Sequence, residues 1–227
     1  MWALTLYRST IGKKIIMAIT GLILVGFVIA HMLGNLQAFL GPAKLNAYGA
    51  FLKGTPELLW LERIVVFFAI VFHALMAWQL TQIKRAARPV GYERREPQVS
   101  TLASRTMRWG GALLLVFIVF HILHFTTGTV FPFASRPDAQ YPRFSETDVY
   151  GNVVSAFRNP WVVIFYVVSM LFLLLHIFHG AWSSVRTLGV SKPSRDPLHR
   201  RVSTIIAVVV WLGFVSLPLG VFFGVLR

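Results

Sequence analysis

The chain contains no cysteine. It therefore forms no disulfide, ligates no iron–sulfur cluster through thiolates and attaches no c-type haem through a C-x-x-C-H motif. Acidic residues are nearly as scarce, with 8 Asp and Glu against 22 Lys and Arg over 227 residues and a net charge of +14. Only 13% of residues are charged, about half the share of a soluble domain. No dinucleotide-binding fingerprint is present. What is abundant is grease: 56% of residues are hydrophobic and 19 are Phe. A composition this apolar excludes disorder and, despite the charge, an ordinary nucleic-acid binder. The class that remains is an integral membrane protein whose charge lies outside the lipid.

A membrane-spanning helix takes about 20 mostly apolar residues. Five stretches meet this, at about 15–36, 58–83, 109–130, 161–185 and 204–225. The expected fold is an all-α bundle of five transmembrane helices, with residues 1–227 forming one domain and no repeat between its halves. The basic start before the first apolar run resembles a signal peptide. That run is long, lacks an A-x-A site and carries His31 and Asn35 at its far end, so it reads as a retained first helix. Trp2, Trp60, Trp109, Trp161 and Trp182 lie near span ends, as an aromatic belt does. Residues 131–159 read as an outer loop, and 89–104 as an inner connection.

Arg8, Lys13 and Lys14 precede the first span. Lys84, Arg85, Arg88, Arg94, Arg95, Arg105 and Arg108 follow the second, and Arg186, Lys192, Arg195, Arg200 and Arg201 follow the fourth. Fifteen of the 22 basic residues thus share one side, while Lys44, Lys53, Arg63, Arg136, Arg143, Arg158 and Arg227 take the other. Positive-inside bias puts the N-terminus in the cytoplasm and the C-terminus outside the inner (cytoplasmic) membrane. The basic face also suits anionic headgroups or a soluble partner.

Six of the seven His lie inside spans: His31, His73, His121, His124, His176 and His179. Ionisable residues at membrane depth are rare and usually functional. No Asp, Glu, Lys or Arg lies in the middle of any span, so these imidazoles have no charged partner at their own depth. Neutral imidazole is a metal ligand. A six-coordinate haem b takes two of them, and one His on each of four successive helices supplies two haems from a bundle core. A single intramembrane His can instead bond a backbone carbonyl or a hydroxyl. A zinc site would gather its ligands at one point, whereas these are spread over four helices.

Counted from the basic flanks at about 1.5 Å per residue, His73 and His176 lie roughly 18 and 15 Å deep. His31, His121 and His124 lie roughly 25, 20 and 24 Å deep. His73 and His176 therefore form an inner pair, and His31 pairs with the third helix through either His121 or His124. Gly21, Gly26, Gly34, Gly110, Gly111 and Gly180 offer space for a flat macrocycle or for ordinary helix packing. Arg63, Arg85, Arg108 and Arg186 lie near span ends, where Arg pairs with a propionate or snorkels to the interface. Quinone carbonyls need donors, which Ser9, Lys13, Arg105 and Trp109 supply near the inner face and Asn35, Gln37 and Tyr48 near the outer.

Four segments carry a family resemblance: RSTIGKKIIMAITGLILVGFVIAHMLGNLQ at 8–37, VFHALMAWQL at 71–80, FHILHFTTG at 120–128 and FYVVSMLFLLLHIFHGAWSSVRTLGV at 165–190. They resemble the cytochrome b subunit of succinate dehydrogenase (succinate:quinone oxidoreductase), of the single-subunit, five-helix, di-haem b558 type. The resemblance covers essentially the whole chain. It implies axial ligands at His31, His73, His121 and His176, with His31–His121 on the distal haem and His73–His176 on the proximal one. His124 and His179 are then accessory, near a propionate or quinone. It also implies a flavoprotein subunit and an iron–sulfur subunit as partners, with this chain anchoring both and relaying electrons through two haems b to a membrane quinone, menaquinone for this type. No succinate oxidation is expected of this chain alone. The alternatives are a fumarate reductase anchor, or a di-haem subunit of a hydrogenase, formate dehydrogenase or nitrate reductase, in which the ligands are distributed differently over the helices. A haem-free transporter would typically show a repeat between halves.

Overall fold

The computed structural model describes residues 7–87, 90, 100–138, 140–141 and 143–227. Trp2, Arg88, Arg94, Arg95 and most of the 89–104 connection lie outside the described residues. Helix α1 runs Thr10–Leu36, α2 Pro42–Gly54, α3 Pro56–Ala86, α4 Leu102–Phe125, α5 Val149–Phe157, α6 Pro160–Thr187 and α7 Asp196–Phe222. Five of these, α1, α3, α4, α6 and α7, are long and apolar enough to cross a membrane. The chain is a multi-pass membrane protein. Phe67, Val116 and Ile205 are each more than 60% exposed. Large apolar side chains exposed together along a long helix suit a lipid environment.

Local chemistry sets the boundaries. Ser9, Thr101, Asp148 and Asn159 cap α1, α4, α5 and α6, each side chain accepting a backbone N–H of the first turn. This offsets donors that a helix start otherwise leaves unpaired. Proline opens α2, α3 and α6, where its missing N–H costs nothing. Gly128, Gly189 and Gly224 adopt positive φ just beyond α4, α6 and α7, where glycine meets no Cβ penalty. The third span therefore ends at Phe125 rather than near residue 130, because Thr126 and Thr127 both donate backwards to the Ile122 carbonyl and Gly128 turns the chain. It starts earlier than expected, at Leu102 beside its Thr101 cap. The fifth likewise runs Asp196–Phe222 instead of 204–225. A helix extends past the hydrocarbon wherever its basic flank is a good helix former.

The spans alternate in direction. Gln79 donates to the Tyr7 hydroxyl at 3.0 Å, which joins the end of α3 to the start of α1. Arg200 lies over the Trp182 ring at 5.5 Å, which joins the start of α7 to the end of α6. These termini, with the start of α4, make a basic end. Helix α6 packs against α1, α4 and α7, while α3 packs against α1. At the α1–α7 crossing a Cβ on Gly213 would collide with the Met32 sulfur, the close approach that small residues allow.

The opposite end is capped rather than looped. The 131–159 segment contains a helical turn, Phe131–Ala134, and α5, whose residues Tyr150–Phe157 are all buried. Helix α5 packs against α2. Asn46 of α2 donates to Asp148 at 2.9 Å and accepts the Tyr150 backbone N–H at 2.9 Å. The Tyr150 hydroxyl donates to the Arg227 carbonyl at 3.1 Å. The expected outer loop is thus a folded lid over the bundle, built because its apolar residues reach the core between α6 and α7.

Candidate metal centres

Four helices place four imidazoles in two pairs. The His31 and His121 rings meet edge to face with centroids 5.8 Å apart. Those of His73 and His176 lie 6.0 Å apart. A metal bonded to two imidazoles at about 2 Å each separates the ring centres by roughly 6 Å. The levels repeat regularly along the bundle. Gly21, beside His73, is ten residues from His31 on α1, and Gly111, beside His176, is ten from His121 on α4. Tyr166, beside His121, is ten from His176 on α6. At 1.5 Å per residue the two pairs stand about 15 Å apart along the axis.

Hydrogen bonding separates metal-ready imidazoles from occupied ones. His73 directs Nδ1 at the Met17 carbonyl, 3.0 Å away, with Thr20 Oγ1 at 3.4 Å. An Nδ1–H so held leaves Nε2 as the basic nitrogen, the usual arrangement behind a ligating His. His121 sets Nδ1 3.2 Å from the Tyr166 hydroxyl, and its Nε2 forms no hydrogen bond among the described residues. His124 is different: it is fully buried, with Nδ1 3.1 Å from the same hydroxyl and Nε2 3.1 Å from Ser135 Oγ. Both its nitrogens are used, so it has none for a metal. At His31 the bond falls on Nε2, 3.2 Å from Asn35 Nδ2. His176 Nδ1 and His179 Nδ1 are buried without a hydrogen-bond partner among the described residues. Such orphaned nitrogens are costly. The donor set, the spacing and the held Nδ1 atoms of His73 and His121 fit iron coordinated by paired neutral imidazoles. His31 fits once its ring releases Asn35.

Among the described residues, no three His, Cys, Asp or Glu gather at one point. That arrangement does not suit a closed zinc site, which takes four ligands.

Over 197 residues, 86% of the chain, the sequence is 25% identical to the succinate dehydrogenase cytochrome b558 subunit of Bacillus subtilis (strain 168), spanning 87% of that protein. The chain is a relative of the succinate dehydrogenase cytochrome b558 subunit. No family model and no solved structure matches it.

The expected glycine cradle is only partly realised. A Cβ on Gly21 would lie 3.1 Å from His73 Cε1, and one on Gly111 would lie 3.7 Å from His176 Cε1. Gly34 instead abuts Tyr48, Gly110 abuts Phe172, and Gly26 and Gly180 face nothing within 4 Å. Of the four arginines singled out, Arg186 lines a cleft of about 460 Å³, together with Lys14, His179, Trp182 and Ser183 at the basic end. It also lies 3.8 Å from Asp196 and over the Trp182 ring. Arg63, Arg85 and Arg108 are exposed, and Arg63 lies over Trp60 at 5.2 Å.

The quinone candidates do not converge at the basic end. Ser9 caps α1, and the buried Lys13 donates to the Tyr7 carbonyl at 2.7 Å. Arg105 and Trp109 are exposed on α4, which packs on α6. At the capped end Asn35 touches His31, and Tyr48 lies against Gly34 beside it. The backbone N–H of Gln37 donates to the Asn35 and Gly34 carbonyls as it closes α1. Tyr166 and Ser135 were not foreseen from the sequence. The available signal was a Tyr in the middle of an apolar span, whose hydroxyl needs a partner when buried.

Proposed function

We propose that the chain is the membrane anchor and electron-relay subunit of a succinate:quinone oxidoreductase, holding two haems b. His73 and His176 bind the inner one and His31 and His121 the outer one. The observation that carries this reading is the stacking of two imidazole pairs on four helices, each at a separation suited to one iron. Bound haem supplies one-electron transfer at each level. The residues of this chain do the rest. Met17 and Thr20 orient His73, Tyr166 orients His121, and the lid of α2 and α5 keeps water from the outer pair.

The basic end faces the cytoplasm of the inner membrane under positive-inside bias. There Lys14, Arg186 and His179 line a cleft at the level below His176, placed to receive carboxylates of the inner haem. Arg105, Arg108, Lys192, Arg195, Arg200 and Arg201 form the docking face for an iron–sulfur subunit and, through it, a flavoprotein that oxidises succinate. Without cysteine this chain binds no such cluster through thiolates, so electrons arrive from a partner and leave to a membrane quinone, menaquinone by resemblance. Asn35 and Tyr48 are the best-gathered candidates for the quinone carbonyls.

The test is succinate addition to membranes holding the assembled complex. The reading expects reduction of both b haems, and copurification of flavin and iron–sulfur subunits with the chain. Haems that respond to hydrogen, formate or nitrate but not to succinate or fumarate would assign the anchor to another dehydrogenase.

A further inference from the structure

We propose that Tyr166 is the positioning residue of the outer histidine pair, with His124 and Ser135 as its support. The inference rests on the reading of His31 and His121 as ligands of the outer haem. The Tyr166 hydroxyl stands 3.2 Å from His121 Nδ1 and 3.1 Å from His124 Nδ1, and His124 Nε2 stands 3.1 Å from Ser135 Oγ. A hydroxyl has one proton, so it donates to one imidazole and accepts from the other. Two polarities of the chain are possible. In one, His124 Nδ1–H donates to Tyr166, which donates to His121, and His121 then carries its proton on Nε2. In the other, His121 Nδ1–H donates to Tyr166, which donates to His124 Nδ1, and His124 Nε2–H donates to Ser135. Only the second leaves Nε2 of His121 as a lone pair for iron. Binding at His121 therefore fixes every tautomer as far as Ser135, and the chain in turn fixes the ring of His121.

The tyrosine is built for this role. It is 5% exposed and lies within ring-contact distance of Phe117 at 5.1 Å, Phe125 at 6.0 Å and Phe157 at 5.0 Å. These rings leave its hydroxyl little freedom to turn away. The inner pair is supported differently, through the Met17 carbonyl and Thr20, so the two haems are tuned by separate groups. An acceptor on Nδ1–H raises the donor strength of the ligand and favours oxidised iron. Tyr166 thus holds the outer haem at a lower potential than an apolar residue would.

The experiment is an optical redox titration with electron paramagnetic resonance on the assembled complex in membranes, comparing wild type with Tyr166→Phe and Ser135→Ala. The expected result for Tyr166→Phe is an upward shift of the outer haem midpoint and an altered outer-haem resonance, with the inner haem unchanged. Outer haem should also dissociate roughly 10- to 100-fold more readily. Ser135→Ala should move the same midpoint in the same direction by less. If Tyr166→Phe loses both haems, the Ser135→Ala shift decides. Wild-type midpoints and resonances for both haems in Tyr166→Phe, or in Ser135→Ala when Tyr166→Phe does not assemble, would overturn the proposal. A wild type with one haem, or a His121→Ala variant that keeps the outer haem, would instead overturn the ligand reading beneath it.

Discussion

Gly21 on α1 approaches His73 on α3 so closely that a Cβ built on the glycine would lie 3.1 Å from the imidazole Cε1 and 3.4 Å from Nδ1. The Met17 carbonyl and Thr20 hydroxyl that hold this ring come from the preceding turn of the same helix. One face of α1 therefore sets the position of a side chain on its neighbour. Gly21→Ala should push His73 by a few tenths of an ångström and weaken inner-haem binding by on the order of tenfold. Gly111→Ala places its methyl 3.7 Å from His176 Cε1, an ordinary contact, and should leave both haems in place. Haem retention during detergent dilution compares the two variants, and equal losses would contradict the argument.

The pairs make the four ligands unequal in a defined way. His73→Ala and His176→Ala should each remove the inner haem and leave the outer one, while His31→Ala and His121→Ala should do the reverse. The two remaining haems are distinguished by their midpoints. Partial loss of both haems from all four variants would leave the pairing unsupported.

His124 provides an internal control on His121, one helical turn away. Both its ring nitrogens are occupied, by Tyr166 and Ser135, so His124→Ala should keep two haems per chain. It should nonetheless destabilise the bundle by about 1–3 kcal/mol, because buried partners lose their bonds. Haem content and thermal midpoint, measured together, separate the two effects. Loss of the outer haem as complete as in His121→Ala would make His124 the ligand instead.

At the capped end Asn46 is the pin between α2 and α5. It donates to Asp148 and accepts from Tyr150, and Asp148 in turn caps α5 through the Gly151 N–H at 3.0 Å. Asn46→Ala should cost about 1–3 kcal/mol and speed proteolysis of the 131–159 segment at unchanged haem content. A cleavage rate equal to wild type would show that the lid is held by its apolar core alone.

How far the sequence carried this account depends on the kind of signal. The five spans were legible because hydrophobic length is a local property. The ends of the third and fifth were not, since the Thr101 cap and the Gly128 turn set the third, and the fifth begins at Asp196, well before its apolar run. The depth of each His along its helix was legible too, since rise per residue is fixed. Depth alone left His121 and His124 open, because they sit one turn apart. Tyr166 meets both; what distinguishes them is Ser135, which engages His124 Nε2, and His31 on another helix, whose ring faces His121. The lid was missed for a related reason. Val149–Phe157 is too short to read as a span, and its burial depends on α2 and on the C-terminus, far away in sequence. The glycines show the same limit: Gly21 and Gly111 meet imidazoles while Gly34 and Gly110 meet Tyr48 and Phe172, and only tertiary packing sorts them.

The central claim is that this cysteine-free, basic chain carries two haems on histidine alone. It is tested most directly by a reduced-minus-oxidised optical spectrum of the purified chain, with haem assayed per polypeptide. The account predicts the spectrum of low-spin b haem at two haems per chain. One haem per chain would contradict the paired arrangement, and none would contradict the reading as a whole.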